Sequence, residues 1–242
     1  DKSYDKDGCY SGNAIETADG KHLIIYTGVK KEFDEAGHML SEIQHQCIAI
    51  GDGVNYEKVE ANPVIEVDTL PEGASRNDFR DPKIWKEDEG YYCLAANRAA
   101  DHTGALLLYT SKDGINWSFV KTFAECKGRY GTMWECPDFF QLDGKAVLMT
   151  SPQEMRSIGL EFHPGNANVC LIGNFDREKQ HLMRENVQAV DYGLDFYAMQ
   201  TLETYDGRRV MIAWMQNWET SGSHLQNQRF MGQMTLPREL HI

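Results

Sequence analysis

A hairpin pattern that recurs four times constrains this chain more than any other feature in it. The segments GCYSGNAIETADGKHLIIYTG from Gly8, FRDPKIWKEDEGYYCLAANR from Phe79, WECPDFFQLDGKAVLMTSPQ from Trp134 and LDFYAMQTLETYDGRRVMIAWM from Leu194 share one layout. In each, a first strand opens on polar or charged residues, and a turn follows at Asp19-Gly20, Glu89-Gly90, Asp143-Gly144 or Asp206-Gly207. A more apolar strand then returns. Short runs rich in Val, Ile, Leu, Tyr and Trp, broken by Gly, Asp and Asn turns, are a strand signature, and no long amphipathic helical pattern competes with it. A second echo, Asp52-Gly53-Val54-Asn55-Tyr56 and Asp113-Gly114-Ile115-Asn116-Trp117, follows strands ending at Ile50 and Thr110 and supplies third and fourth strands. Four-stranded units at this spacing are how a β-propeller is written in sequence. The expectation is an all-β chain in which residues 1–242 form one propeller domain, with four blades counted and a fifth lying upstream.

A propeller turns scattered residues into a pocket, because the innermost strand of every blade lines a shared channel. Tyr10 and Ser11, Arg80 and Asp81, Glu135 and Asp138, and Asp195 and Tyr197 all head first strands and are expected to converge there. In Trp134-Glu135-Cys136-Pro137-Asp138-Phe139-Phe140 two carboxylates stand within four residues at the head of an apolar strand. Aromatic flanks strip hydration from a carboxyl group and disfavour its charged form, which makes Glu135 the first candidate for a general acid. A lone Glu in such a run is more often an edge residue facing water, and it is the repeat that gives Glu135 an inward address. For Asp138 and Asp195 a hydrogen bond between blades competes on equal terms with a role in the pocket. In Arg80-Asp81-Pro82 the proline is expected to hold Asp81 extended, and Arg80 to keep its carboxylate ionised. One carboxylate held charged and another made more weakly acidic is the division of labour that glycoside hydrolysis needs. Tyr10, Trp134, Tyr197 and Trp214 offer faces on which a sugar could stack, although core packing competes for Trp214.

Charge and composition narrow the ligand. A formal net charge of -13 argues against nucleic acid or an anionic membrane as the main partner, and a neutral ligand fits better. No run reaches transmembrane length, and Asp1-Lys2-Ser3-Tyr4-Asp5 is neither a signal peptide nor a native start. The cysteines (Cys9, Cys47, Cys93, Cys126, Cys136, Cys170) are spread singly and read as core thiols of a cytoplasmic protein, with Cys126 in the most polar setting. The histidines are dispersed and point to no metal site, and no cofactor is expected. The oligomeric state leaves no mark on the sequence.

FRDPKIW, MWECPDFF, DYGLDFYAMQTL followed by GRRVMIAWM, and MGQMTLPREL together resemble glycoside hydrolase family 32, the family of invertases, sucrose-6-phosphate hydrolases, inulinases and levanases. GCYSGNAI is similar to that family's Phe-Ser-Gly-Ser segment, with Tyr10 in the aromatic position and Asn13 in place of the second Ser. The resemblance covers essentially the whole chain and implies a five-bladed propeller. It implies that Asp81 stabilises the transition state and that Glu135 is the acid/base. It further implies that Arg80, Tyr10 and Ser11 contact the fructosyl unit, that Cys136 sits behind the acid/base, and that Trp214, Asp195 and Tyr197 belong to the substrate pocket.

The family's nucleophile is an Asp in a Trp-Met-Asn-Asp-Pro-Asn-Gly motif, and the only Asp-Pro among these residues is Asp81-Pro82. The nucleophile is therefore expected upstream of Asp1, and a β-sandwich beyond PRELHI. Two rivals share the funnel: a carbohydrate-binding propeller that never cleaves, and a fructosyltransferase with the same carboxylates. A retaining enzyme without its nucleophile loses the covalent step, so residues 1–242 on their own should release negligible fructose from sucrose in a reducing-sugar assay.

Overall fold

The computed structural model describes residues 1–221 and 231–242; of the histidines, His224 lies outside the described residues. The described residues form fifteen strands and one short 3-10 helix at Val67–Thr69. The first sheet holds β1 (Gly8–Glu16), β2 (His22–Phe33), β3 (Met39–Gly51) and β4 (Tyr56–Lys58), and the second β5 (Phe79–Glu87), β6 (Gly90–Arg98), β7 (Gly104–Ser111) and β8 (Ser118–Glu125). The third holds β9 (Met133–Leu142), β10 (Lys145–Gln153), β11 (Val169–Asp176) and β12 (His181–Gln188). The fourth has three strands, β13 (Tyr197–Glu203), β14 (Arg209–Trp214) and β15 (Arg238–Glu239). Each sheet is an antiparallel meander in chain order, the way propeller blades are built.

The expected turns carry the expected hairpins. Asp19-Gly20, Glu89-Gly90, Asp143-Gly144 and Asp206-Gly207 lie between the first and second strands of the four sheets. The second echo is also real and has one mechanism. Asp52 Oδ1 accepts the Val54 and Asn55 amides, and Asp113 Oδ1 accepts those of Ile115 and Asn116, so one aspartate closes each third-to-fourth strand turn.

The chain divides into two compact units, Asp1–Glu125 with the first two sheets and Cys126–Ile242 with the last two. In the first, Leu23, Ile25, Ile48, Phe79, Ile84 and Leu107 pack into one apolar cluster. In the second, Phe140, Val147, Met149, Phe196, Met199 and Met211 do the same. Alternating burial along β2 reflects one covered face, whereas Gly104-Ala105-Leu106-Leu107-Leu108-Tyr109 in β7 is buried without interruption, as a strand covered on both faces requires. Cys47, Cys93, Cys126 and Cys170 are buried, which answers for Cys126, but Cys9 is exposed and Cys136 half-buried, so the expectation of core thiols fails at those two. No helix among the described residues is long and apolar enough to cross a membrane.

Every sheet carries a bulge at the same place in its first strand. In β1, Tyr10 pairs with Thr27 and Gly12 with Tyr26, which leaves Ser11 as the extra residue. In β5, Arg80 pairs with Ala96 and Lys83 with Leu94; in β9, Glu135 pairs with Ser151 and Asp138 with Met149; in β13, Tyr197 pairs with Trp214 and Gln200 with Ile212. Two residues thus face one at Asp81-Pro82, Cys136-Pro137 and Ala198-Met199. Asp81, Cys136 and Ala198 have φ of 58°, 50° and 54°. This corrects the expectation for Asp81: it is left-handed rather than extended, a conformation Asp tolerates better than most residues. Gly12 follows from the same crowding, since a Cβ there would lie 1.9 Å from the Ile25 carbonyl oxygen.

Ahead of β1, Asp5 is buried and accepts hydrogen bonds from Lys58 Nζ (2.6 Å), Tyr26 Oη (2.8 Å) and the Lys2 amide (3.0 Å). Burial alone would raise its carboxyl, but these donors outweigh that and hold it well below the usual carboxylate range. A depressed folded value contributes stability that is present above the ordinary carboxyl value, near about 4, and is lost as pH falls through the folded value. Asp5→Asn should therefore flatten the decline of the thermal midpoint with falling pH below about 4, measured by calorimetry across the acid range.

Candidate functional site

The bulges define two equivalent positions in each sheet, and the sequence-predicted residues fall on them. The residue before the bulge is Tyr10, Arg80, Glu135 or Tyr197, and the first bulged residue is Ser11, Asp81, Cys136 or Ala198. Of the residues predicted to line the pocket, Trp134, Asp138, Asp195 and Trp214 lie off these positions, and Trp214 is the cross-strand partner of Tyr197.

In the second unit the geometry centres on Glu135, a carboxyl group only 6% exposed. Tyr197 Oη donates to Glu135 Oε2 at 2.6 Å, and Trp218 Nε1 donates to the same oxygen at 3.0 Å. Tyr197 Oη also lies 3.0 Å from the Ser151 carbonyl oxygen. A phenol has one proton, so it serves one acceptor at a time. With Glu135 ionised, the proton goes to the carboxylate. With Glu135 protonated, it goes to the Ser151 carbonyl, and the phenol oxygen accepts from the carboxyl group. Both forms of Glu135 are thus satisfied without moving a heavy atom, which is what a group that must give up and regain a proton requires.

Trp218 was not singled out from sequence. The turn that carries it is fastened to the segment before β13: Asn217 Nδ2 donates to the Leu194 carbonyl (2.8 Å), and Thr220 Oγ1 to Asp195 Oδ1 (2.9 Å). Asp195 is itself exposed, and its observed bonds hold that turn. Trp214 is half-buried and meets Trp218 edge to face, with ring centroids 5.5 Å apart. Two of the proposed stacking surfaces need correction. Trp134 is fully buried with its indole N–H on the Tyr130 carbonyl, and the Tyr197 ring is 1% exposed, so Tyr197 offers only its hydroxyl. Cys136 is half-buried, and its carbonyl accepts Gln200 Nε2 at 2.9 Å.

In the first unit, Arg80 is half-buried and its guanidinium donates to Asp78 Oδ1 at 2.9 Å, with Arg98 on the other oxygen of Asp78 at 3.2 Å. Asp81 is 7% exposed. Tyr10 is 39% exposed, and burial together with the neighbouring Glu42 pushes its phenol up. Ser11 is exposed and presents its carbonyl to the Thr27 hydroxyl at 3.3 Å.

The same two-point latch fixes the bulges in both units. Thr27 Oγ1 accepts the Asp81 amide at 3.1 Å, and the equivalent Ser151 Oγ accepts the Ala198 amide at 3.0 Å. Two residues past the first bulged residue, Asn13 Oδ1 accepts the Ile84 amide at 3.1 Å, and the equivalent Asp138 Oδ2 accepts the Thr201 amide at 2.6 Å. Of the two roles weighed for Asp138, the bond between neighbouring sheets is therefore realised. Thr27 and Ser151 were missed from sequence, and the signal was there: each sits across the hairpin from the residue before its bulge. Among the described residues, no group of three or more His, Cys, Asp and Glu side chains is placed to hold a metal ion.

Residues 1–242 match the model of the glycosyl hydrolases family 32 N-terminal domain. The chain is 35% identical to a sucrose-6-phosphate hydrolase of Zymomonas mobilis over 99% of its own length and 47% of that protein, and 36% identical to a raffinose invertase of Escherichia coli over 98% and 48%. It spans about half the length of the curated relatives it matches. Among solved structures, a Bombyx mori GH32 beta-fructofuranosidase, studied as a point mutant in complex with sucrose, superimposes with a TM-score of 0.83 at 35% identity, covering 96% of this chain and 48% of that one.

Removing a latch should leave a buried amide without its acceptor. Ser151→Ala is expected to lower the unfolding free energy by about 1–3 kcal/mol, measured by urea denaturation, through loss of the bond to Ala198.

Proposed function

The chain belongs to glycosyl hydrolase family 32, and on that premise we propose that it is part of a retaining β-fructosidase that releases fructose from sucrose, sucrose 6-phosphate or short β-fructans. The observation that carries this reading is the environment of Glu135: a buried carboxyl group with two donors on one oxygen and a tyrosine able to serve either protonation state. Such a group protonates the glycosidic oxygen as its bond to the fructosyl anomeric carbon breaks, then takes a proton from the water that releases the sugar.

Asp81 fits the complementary role. Its carboxylate is carried on a left-handed bulge whose amide is fastened to Thr27, so the backbone from which the side chain leaves is held in place. A carboxylate held in this way can orient the fructosyl ring and offset the positive charge that develops at its anomeric carbon. Arg80, Tyr10 and Ser11 are assigned to the same sugar, and Trp214 and Cys136 to the surroundings of the acid/base. We read the four meander sheets as blades of a five-bladed propeller. The relatives named for sucrose 6-phosphate, raffinose and sucrose favour a small sugar as the substrate.

In the full-length protein, Glu135→Gln should lower kcat on sucrose by roughly two to four orders of magnitude, the contribution expected of a positioned general acid. Sucrose turnover unaffected by this change would remove Glu135 from the mechanism. Proton NMR of the first-formed fructose should show retention at the anomeric carbon.

A further inference from the structure

The left-handed Asp81 raises a question that its Thr27 latch answers only in part. A residue before proline is sterically restricted, and a non-glycine φ of 58° adds strain that persists only where the surroundings over-determine it. Two buried glutamines supply that over-determination. Gln44 and Gln46 stand two apart on β3, so both side chains leave the same face of the strand, and they are 2% and 0% exposed.

Gln44 Oε1 accepts the Phe79 amide at 2.9 Å and the Arg80 guanidinium at 3.3 Å. Gln46 Nε2 donates to the Phe79 carbonyl at 2.8 Å. The two carboxamides therefore bind the N–H and the C=O of one residue, as a neighbouring strand would, at the point where β5 begins. The contact continues in one direction. The Asp81 amide donates to Thr27 Oγ1, whose single proton has Gln46 Oε1 at 3.0 Å as its nearer acceptor and the Ser11 carbonyl at 3.3 Å as the other, and Gln46 Nε2 then closes on the Phe79 carbonyl. Arg80 is bracketed by this ring of bonds on both sides. Behind it, Gln44 Nε2 donates to Glu42 Oε1 at 2.8 Å, and Glu42 is paired with Lys31 at 3.4 Å, so the amide of Gln44 is held in the orientation that presents its oxygen to Phe79 and Arg80.

Resting on the fructosidase reading above, we propose that Gln44 and Gln46 are positioning residues that clamp the Phe79-Arg80-Asp81 segment and so set the direction of the Asp81 carboxylate toward the sugar. They touch no substrate in this account. Their effect runs through the backbone, and an error of about 1 Å in such a group costs on the order of 100-fold in rate.

The test uses Gln44→Met and Gln46→Met in the full-length protein, since methionine keeps most of the volume and removes the amide. Asn62→Ala is the control: Asn62 binds both the amide and the carbonyl of Ile48 and the Tyr4 hydroxyl in the same unit, and makes none of the bonds to Phe79, Arg80 or Asp81 described above. The measurements are kcat and KM on sucrose, thermal midpoint, and hydrogen exchange of the peptide spanning residues 78–84.

Each Gln→Met variant should lower kcat by about 10- to 100-fold with a smaller change in KM and should speed exchange at 78–84. Asn62→Ala should lower the midpoint while leaving kcat and that exchange alone. Wild-type kcat in folded Gln46→Met overturns the proposal, as does an equal loss of kcat in Asn62→Ala, which would mean that activity follows stability alone. If the wild-type protein releases no fructose, the fructosidase reading fails; the clamp is then decided by exchange, and unchanged protection at 78–84 in Gln46→Met refutes it.

Discussion

One extra residue in the first strand of every sheet is the constraint on which the rest depends. In an unbroken strand, alternate side chains share a face, and a cluster of polar groups at the head would be split between pocket and core. The bulge removes that conflict. It lets Glu135 and Asp138, or Arg80 and Lys83, stand three apart in sequence and on one side of the sheet, while the apolar remainder of the strand returns to register. The cost is a left-handed residue at Asp81, Cys136 and Ala198. For Asp81 and Ala198 that residue's amide is taken up by a side chain of the neighbouring sheet, Thr27 or Ser151.

The chemistry inherits its order from this arrangement. A general acid must be held without being frozen in one protonation state, and Glu135 meets both needs because Tyr197 has a second acceptor waiting in the Ser151 carbonyl. Ser151 thus acts twice, with its hydroxyl holding the bulge that follows Tyr197 and its carbonyl receiving Tyr197 itself. Trp218 adds a donor that cannot accept, which keeps one carboxyl oxygen engaged in either state. In the first unit the corresponding work falls to Thr27, again opposite the residue before the bulge.

The hairpins were legible because turn chemistry is local: a single Asp closes Asp52-Gly53 and Asp113-Gly114 through bonds to residues two and three along. The heads of first strands were legible as polar residues in an apolar setting, and seven of those named fall on the two bulge positions. The bulge itself was not, because one inserted residue leaves no compositional trace, and Pro82 pointed the other way by favouring an extended Asp81. Trp218, Gln44 and Gln46 escaped for a related reason. Their partners are 83, 35 and 33 residues away in sequence, and nothing nearby ties a Trp or a Gln to a distant carboxylate or amide. Trp134 shows the opposite error, in which an aromatic next to the site was read as a platform and is instead buried beneath it.

The bulge also divides each first strand into two reading frames. Ahead of the extra residue in β9 the shared face is written at an odd position, Glu135, and after it at an even one, Asp138; in β1 the change runs from Tyr10 to Asn13. For the register of the strand, what counts at Cys136 or Ser11 is the presence of a residue there, apart from what its side chain does. Losing one residue from this stretch would exchange inner and outer faces for everything downstream in the strand, turning the amide acceptors Asn13 and Asp138 away from the neighbouring sheet. For everything downstream in the strand, the length of the bulge works as a comma that the rest of the sentence cannot do without.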